Sequence, residues 1–137
     1  MLKVVHHVTY IVEDVPKVVD FLEQSFGLKP VDVIDNPKRG LKEAYFKIGP
    51  TIVDFFQPMH DSADFAQFLR EKGPGISHVG WQVEDIDGVA DRLVTQGVKT
   101  RDGRRGTVSP HGYKTLSIDP ANAAGFLFQM AEGELQH

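Results

Sequence analysis

The chain has 137 residues, of which 41% are hydrophobic and 25% charged, a composition typical of one globular domain or of two small modules sharing a core. Its net charge of -4 provides no basic face of the kind that binds nucleic acid or an anionic membrane, so we expect neither partner. The chain has no cysteine, which fits a reducing compartment, and no apolar run is long enough to span a membrane. We therefore expect a cytoplasmic protein.

A nine-residue segment near the start of the chain occurs twice. The first copy, HVTYIVEDV, begins at His7, and the second, HVGWQVEDI, begins 71 residues later at His78. Five of the nine positions are identical, and the changes at two others keep their hydrophobic character. The repeat places a histidine at the same point of two duplicated units, which is a reason to look for a metal site.

The first copy opens a series of elements in the order βαβββ. Alternating apolar residues predict a strand over residues 4–12, and Asp14 and Gly27 are typical of the start and the end of a helix. Three strands are predicted to follow, separated by Asn-Pro and Gly-Pro turn signals, over residues 29–34, 41–48 and 51–57. A short helix over residues 62–72 and a Gly-Pro-Gly break then lead to the second copy.

The second copy predicts the same series. A strand over residues 76–83 precedes a helix that Asp85 caps and Gly97 ends. A weak strand near Val98, an Arg- and Gly-rich loop over 101–112 and strands over 113–119 and 125–131 follow. The predicted fold is α+β, with two tandem βαβββ modules forming a cupped mixed sheet with the helices outside. We expect one domain over residues 1–137, with module one at about 1–60, a connecting helix and loop at about 61–75 and module two at about 76–137.

Strand alternation predicts which polar side chains point away from the helices. These are His7 and His78 on the first strands of the modules and Asp54 and Gln129 on the last strands, the latter 75 residues apart. If the modules pack edge to edge, the four side chains converge on one point. Two imidazoles and two oxygen donors suit one divalent ion of zinc, cobalt, nickel, manganese or iron. The alternative is that both histidines are ordinary strand residues on an exposed sheet face.

The chain resembles the vicinal oxygen chelate (glyoxalase/bleomycin resistance/dioxygenase) superfamily, most closely its methylmalonyl-CoA epimerase-like branch. The matching residues are His7-Val8 followed by VED at 12–14, KGPGISHV at 72–79, VEDI at 83–86 and His111-Gly112. The resemblance covers nearly the whole chain. It implies tandem βαβββ modules around a metal held by His7, Asp54, His78 and Gln129, and it implies that Glu43 is a catalytic base. Without the resemblance, Glu43 would be read as a solvated strand carboxylate.

Two positions depart from the pattern of that branch. Similar epimerases carry an amide or a glutamate where Asp54 stands, and where Gln129 stands they carry a glutamate that is both ligand and second acid-base group. An amide cannot accept and return a proton. Either Asp54 therefore serves the second face of the reacting carbon, or the reaction is one-sided.

The expected function is that of a metal-dependent epimerase or isomerase that moves a proton next to a carbonyl of an acyl-CoA or similar small substrate. Its cation would stabilise the enolate oxygen. One alternative is a glyoxalase I-like lactoylglutathione lyase, which needs a single base. Another is a metal-free protein that sequesters a small molecule. A ring-cleaving dioxygenase is disfavoured because Gln129 stands where its carboxylate ligand is expected.

Two further features carry weaker expectations. Arg101, Arg104 and Arg105 could pair with the phosphates of coenzyme A, although such a cluster is more often a solvated loop. His111 either contacts the substrate, or acts as a second acid-base group, or is a surface turn residue. We also expect a homodimer, on resemblance and on the frequency of two-fold assemblies.

Overall fold

The computed structural model of the chain describes residues 1–101, 107–109 and 111–135. These residues divide into two compact units, which we call the first unit (residues 7–77) and the second unit (residues 1–6 and 78–137). The elements in chain order are β1 (Val5–Ile11), α1 (Val15–Phe26), β2 (Asp32–Asn36), β3 (Leu41–Ile48), β4 (Thr51–Pro58), α2 (Ala66–Lys72), β5 (Gly75–Gln82), α3 (Ile86–Thr95), β6 (Thr107–Val108), β7 (Lys114–Ile118) and β8 (Phe128–Glu132). The predicted α+β class and the first βαβββ series are confirmed. The second series has the same order, but its strand after α3 is β6, in the segment predicted as a loop over 101–112, and not the strand predicted near Val98.

The first unit has the strand order β2-β3-β4-β1, in which β1 is parallel to β4 and the other pairs are antiparallel. Helix α1 begins where the Asp14 side chain accepts a hydrogen bond from Lys17 N at 3.1 Å, and it ends at Gly27 in the left-handed conformation. The helix packs on one face of these strands, in a core formed by Val12, Val15, Ala44, Phe46 and Phe55. The other face carries polar side chains, and we call it the polar face of the first unit.

The second unit repeats this arrangement with the order β5-β8-β7-β6. Asp85 caps α3 by accepting from Gly88 N at 3.1 Å, as Asp14 caps α1. The core between α3 and the strands contains Val83, Ile86, Val89, Ala90, Leu116, Ile118 and Met130. The face of these strands that points away from this core is the polar face of the second unit.

The two units also share a second helix cap that the sequence did not reveal. Gln57 Oε1 accepts a hydrogen bond from Val15 N at 2.8 Å, and Glu132 Oε1 accepts one from Ile86 N at 2.7 Å. In each case the last strand of a unit supplies the acceptor for the first backbone N–H of the helix. The duplication therefore extends from sequence to individual hydrogen bonds.

Several element bounds differ from the prediction. Helix α2 begins at Ala66 rather than at Ser62, after Phe65 adopts a left-handed conformation with φ of 65°. Strand β8 begins at Phe128 rather than at Gly125, because Ala124 and Gly125 both have positive φ and cannot continue a strand. The weak strand predicted near Val98 is reduced to a single bridge between Thr100 and Ile118.

Differences of one to three residues occur at other ends, including those of β2 and α3. Strand β2 covers Asp32–Asn36 rather than residues 29–34. Helix α3 ends at Thr95 with Gln96 as its cap, and Gly97 follows with φ of 81°.

Residues 1–6 belong to the second unit, whereas the sequence analysis assigned them to module one. Lys3 N donates to Gln82 O at 3.0 Å, and Gln82 N donates to Val4 O at 2.9 Å. The single domain over residues 1–137 stays a prediction. In the part of the chain that the structure describes, no helix is both long and apolar enough to cross a membrane.

Candidate metal and acid-base site

Asp54 lies at the centre of the polar face of the first unit. Its register partners are Thr9 on β1 and Tyr45 on β3, so strands on both sides enclose it. The residue is 1% exposed, and neither carboxylate oxygen has a hydrogen-bond partner in the described ranges. A buried acceptor without a donor is costly, so this carboxyl group is suited to bind a proton or a cation.

Burial raises the pKa of Asp54 from 3.8 to about 8, because the charged form loses its hydration. The neighbouring Thr9 hydroxyl lowers this pKa, without forming a hydrogen bond of ordinary geometry. The Glu43 carboxylate raises it by like-charge repulsion, and the Arg39 guanidinium lowers it. In the absence of a cation, the protonated form of Asp54 is therefore favoured at neutral pH.

Glu43 lies on the same face and is completely buried. The Tyr45 hydroxyl donates to Glu43 Oε1 at 2.5 Å, and Asn36 Nδ2 donates to Oε2 at 2.9 Å. Both oxygens are thus held in place, so the expectation of a solvated strand carboxylate is wrong. Glu43 and Tyr45 share the polar face because they are two residues apart on β3. Asn36 was missed, because its approach to Glu43 depends on the register of the β2–β3 hairpin.

The polar face of the second unit carries His78 and Gln129. Gln129 Nε2 donates to Ser117 Oγ at 3.3 Å, which orients the amide. Its carbonyl oxygen is buried and accepts no hydrogen bond within the described residues. The register partner of Gln129 on β5 is Gly80, which has no side chain. This unit therefore presents one open oxygen donor on the same face as a histidine.

His7 and His78 are both buried, with exposures of 2% and 8%. The alternative that they are ordinary histidines on an exposed sheet face is therefore wrong. Register places His7 on the same face as Asp54, and His78 on the same face as Gln129, because side chains two residues apart on a strand share a face.

Among the described residues, no group of three or more His, Cys, Asp or Glu side chains is arranged to hold a metal ion. Each unit nevertheless contributes a buried histidine and a buried oxygen donor at equivalent positions. On these two faces, the buried oxygens without a hydrogen bond to the described residues are Asp54 Oδ1, Asp54 Oδ2 and Gln129 Oε1. Two imidazoles with a carboxylate and an amide oxygen are donors that divalent transition metals accept. The residues therefore fit a divalent cation.

The remaining expectations concern residues away from these two faces. His111 is 5% exposed, so it is not a surface turn residue, and it lies six residues before Ser117 in the turn that leads into β7. Arg101 is exposed, whereas Arg104 and Arg105 lie outside the described residues.

Residues 4–130 match the model of the Glyoxalase/Bleomycin resistance protein/Dioxygenase superfamily. The chain belongs to this superfamily. The family expected from the motifs is thereby confirmed.

Similar proteins with a stated activity are epimerases. An ethylmalonyl-CoA/methylmalonyl-CoA epimerase of Cereibacter sphaeroides is 25% identical over 134 residues, covering 96% of this chain and 99% of the relative. The methylmalonyl-CoA epimerase of Mycobacterium tuberculosis is 25% identical with a TM-score of 0.84, covering 96% of this chain and 88% of that one. That of Streptomyces coelicolor, in complex with 2-nitronate-propionyl-CoA, has a TM-score of 0.85 at 19% identity and covers 100% of this chain and 99% of that one. The last of these similarities, at 19% identity, shows the fold.

Proposed function

We propose that this protein is a metal-dependent epimerase that acts on methylmalonyl-CoA or a similar acyl thioester. The observation that carries the proposal is the buried Glu43, whose two oxygens are fixed by Tyr45 and Asn36 on the face that also holds Asp54. The named activity of the similar epimerases supplies the substrate class.

In the proposed reaction, Glu43 removes the proton from the carbon next to the thioester carbonyl. The C–H bond breaks, the proton moves to a Glu43 oxygen, and the electron pair passes to the carbonyl oxygen as an enolate. Because Tyr45 and Asn36 hold the carboxylate in one orientation, little reorganisation precedes proton transfer. Return of a proton to the opposite face of the carbon gives the epimer.

We propose His7, Asp54, His78 and Gln129 as the residues that would hold the metal, which we expect to be zinc, cobalt, nickel, manganese or iron. When bound, such a cation supplies Lewis-acid stabilisation of the negative charge that develops on the carbonyl oxygen. The open oxygens of Asp54 and Gln129 support this assignment.

The second face of the carbon requires its own proton carrier. By register, the position equivalent to Glu43 in the second unit is Thr115, which pairs with Ala131 as Glu43 pairs with Phe56. Asp54 is the other buried carboxylate of the described residues. We therefore propose that Asp54 returns the proton on this face from its protonated form, which burial favours when no cation is bound, whereas its role as a metal ligand uses the carboxylate form. If Asp54 takes no part, the enzyme exchanges the proton without inverting the carbon.

The test is incubation of the metal-loaded protein with one stereoisomer of methylmalonyl-CoA in deuterated water, followed by mass spectrometry and chiral analysis. We expect deuterium at the α-carbon together with inversion. Glu43→Gln should abolish both, whereas Glu13→Gln, at an exposed position, should leave both unchanged. Absence of exchange with all five metals would overturn the proposal, and exchange without inversion would remove the role of Asp54.

One observation favours a second candidate, a glyoxalase I-like lyase. Gln129 and Thr115 leave the polar face of the second unit without a base at these positions, and a lyase that moves a proton between adjacent carbons can use one base. Turnover of the hemithioacetal of methylglyoxal and glutathione, combined with no activity on methylmalonyl-CoA, would select the lyase.

We also propose that the protein is a homodimer, and sedimentation measures this oligomeric state separately.

A further inference from the structure

Arg39 lies in the turn between β2 and β3, and its guanidinium packs against two aromatic rings on the same side. Its Cζ is 5.5 Å from the ring centroid of Phe56 and 5.5 Å from that of Phe65. Phe56 is the register partner of Glu43, so its ring is on the polar face of the first unit. The guanidinium therefore lies on the same side of the strands as Glu43 and Asp54, and its charge affects Asp54 electrostatically.

Several contacts hold this guanidinium in position. Arg39 Nε donates to Asp64 Oδ2 at 2.7 Å, and Asp64 N donates to Arg39 O at 3.0 Å. The next residue, Phe65, has a left-handed backbone with φ of 65°, which is unfavourable for a non-glycine residue. The fold thus maintains a strained backbone where the Phe65 ring contacts Arg39.

The outer end of the guanidinium has no assigned role within the first unit. Nη1 and Nη2 form no hydrogen bond to the described residues, and the side chain is 34% exposed. Glu43 does not need Arg39 as a donor, because Tyr45 and Asn36 already occupy its two oxygens. A guanidinium that is ion-paired through Nε to Asp64 keeps two Nη groups, and on the face that carries Glu43 these can bind an anionic group from outside the chain.

We propose that Arg39 binds the free carboxylate of a malonyl-type acyl group and so selects substrates that carry one. This inference rests on the proposed function, because it assigns Arg39 a substrate contact in the same site. A phosphate of coenzyme A offers the same anionic oxygens. The acyl carboxylate is favoured because Arg39 lies on the face of the reacting base.

The test compares three probes by calorimetry with the metal-loaded protein. Methylmalonyl-CoA has the carboxylate and the phosphates, propionyl-CoA lacks the carboxylate, and methylmalonyl-pantetheine lacks the phosphates. Arg39→Gln should weaken both methylmalonyl probes by about tenfold or more and propionyl-CoA by less than about twofold. Lys38→Gln removes the same charge at the adjacent exposed position and should change none of them.

Other outcomes overturn the proposal. Weaker binding of both CoA esters with unchanged binding of the pantetheine ester would assign the anion to a phosphate. If each of the three probes binds Arg39→Gln as tightly as it binds the wild type, Arg39 does not contact the substrate. If Arg39→Gln does not fold, Arg39→Lys, which keeps the charge but not the paired donors, should give a smaller loss with the same selectivity. Binding does not require turnover, so carboxylate-selective binding without α-proton exchange would contradict the proposed reaction and not the role of Arg39.

Discussion

The two buried carboxylates of the first unit have opposite hydrogen bonding. Glu43 accepts one hydrogen bond on each oxygen, whereas the oxygens of Asp54 accept none from the residues that the structure describes. Donors fix the orientation of Glu43, which suits a base that must meet a carbon-bound proton in one geometry. Asp54 is left to take up a proton or a cation. One residue is thus positioned, and the other is available as a ligand.

The first prediction concerns the stability of the metal-free protein with Asp54→Asn. The pKa of Asp54 rises from 3.8 to about 8 on folding, so the folded state binds the proton more tightly than the unfolded state. The resulting stability is complete below pH 4 and is lost as pH rises through 8. At pH 9 the buried carboxylate should destabilise the wild type by a few kcal/mol, on the order expected for such a shift. Because asparagine does not titrate, the variant should be the more stable protein at pH 9.

Urea unfolding at pH 5, 7 and 9 in the presence of a chelator measures this effect. The advantage of Asp54→Asn over wild type should increase with pH. Asp61→Asn, at an exposed position, is the control and should show no such trend. A difference between Asp54→Asn and wild type that does not change with pH would contradict the prediction.

A second prediction concerns the donor to Glu43. Tyr45→Phe removes the hydroxyl that donates to Glu43 Oε1, so the carboxylate loses one of its two fixed contacts. We expect kcat to fall by about 10- to 100-fold, less than the loss of a whole general base because Glu43 itself remains, with KM little changed. Tyr10→Phe is the matched control, because Tyr10 packs in the core with α1 and stacks on Phe55. A rise in KM with unchanged kcat would contradict a positioning role for Tyr45.

At the scale of elements, features set by neighbouring residues could be predicted from the sequence, whereas features set by long-range contacts could not. Asp14 and Gly27 bound α1 because caps depend on a few neighbouring residues. Alternation placed Glu43 and Asp54 on one face because the period of a strand is fixed at two. The contacts of Asn36 and Arg39 could not be predicted, since they depend on hairpin register and on the late start of α2 at Ala66.

The shared helix cap leads to a prediction at this scale. Gln57→Ala and Glu132→Ala each remove the acceptor for the first backbone N–H of a helix, at Val15 and Ile86, both of which are buried. An unpaired buried donor costs about 1–3 kcal/mol, so each variant should lose stability in that range. Chemical denaturation measures the loss. Gln67→Ala removes an exposed contact within α2 and should cost less than either variant.

At the scale of the whole molecule, the duplicated units have kept their packing and changed their chemistry. Asp54 corresponds to Gln129, Glu43 to Thr115 and Tyr45 to Ser117 in strand register. The acids are therefore concentrated in the first unit, and the second unit offers an amide and hydroxyls. The proposed ligand set would carry a single negative charge, from Asp54. This asymmetry supports proton abstraction from the side of the first unit.

The last prediction concerns the proposed division of the metal ligands between the units. A divalent cation should raise the melting temperature of the wild type, because it binds the folded state in preference to the unfolded state. If one ion takes ligands from both units, His7→Ala and His78→Ala should each lose most of that increase. His60→Ala changes a histidine at an exposed position and tests for adventitious metal binding. This variant should keep the metal-induced increase in melting temperature.

Thermal unfolding with and without zinc, cobalt, nickel, manganese and iron distinguishes the possible arrangements. Undiminished stabilisation by the cation in His78→Ala would mean that the first unit binds metal alone, and the converse result would assign the metal to the second unit. Either outcome would contradict a shared ion. A shared ion needs the donors of both units, because each unit offers one buried histidine and one open oxygen donor on its polar face. Two ligands bind a transition metal far less tightly than four. If both units supply ligands to one ion, the metal-induced rise in melting temperature should therefore fall equally in His7→Ala and His78→Ala.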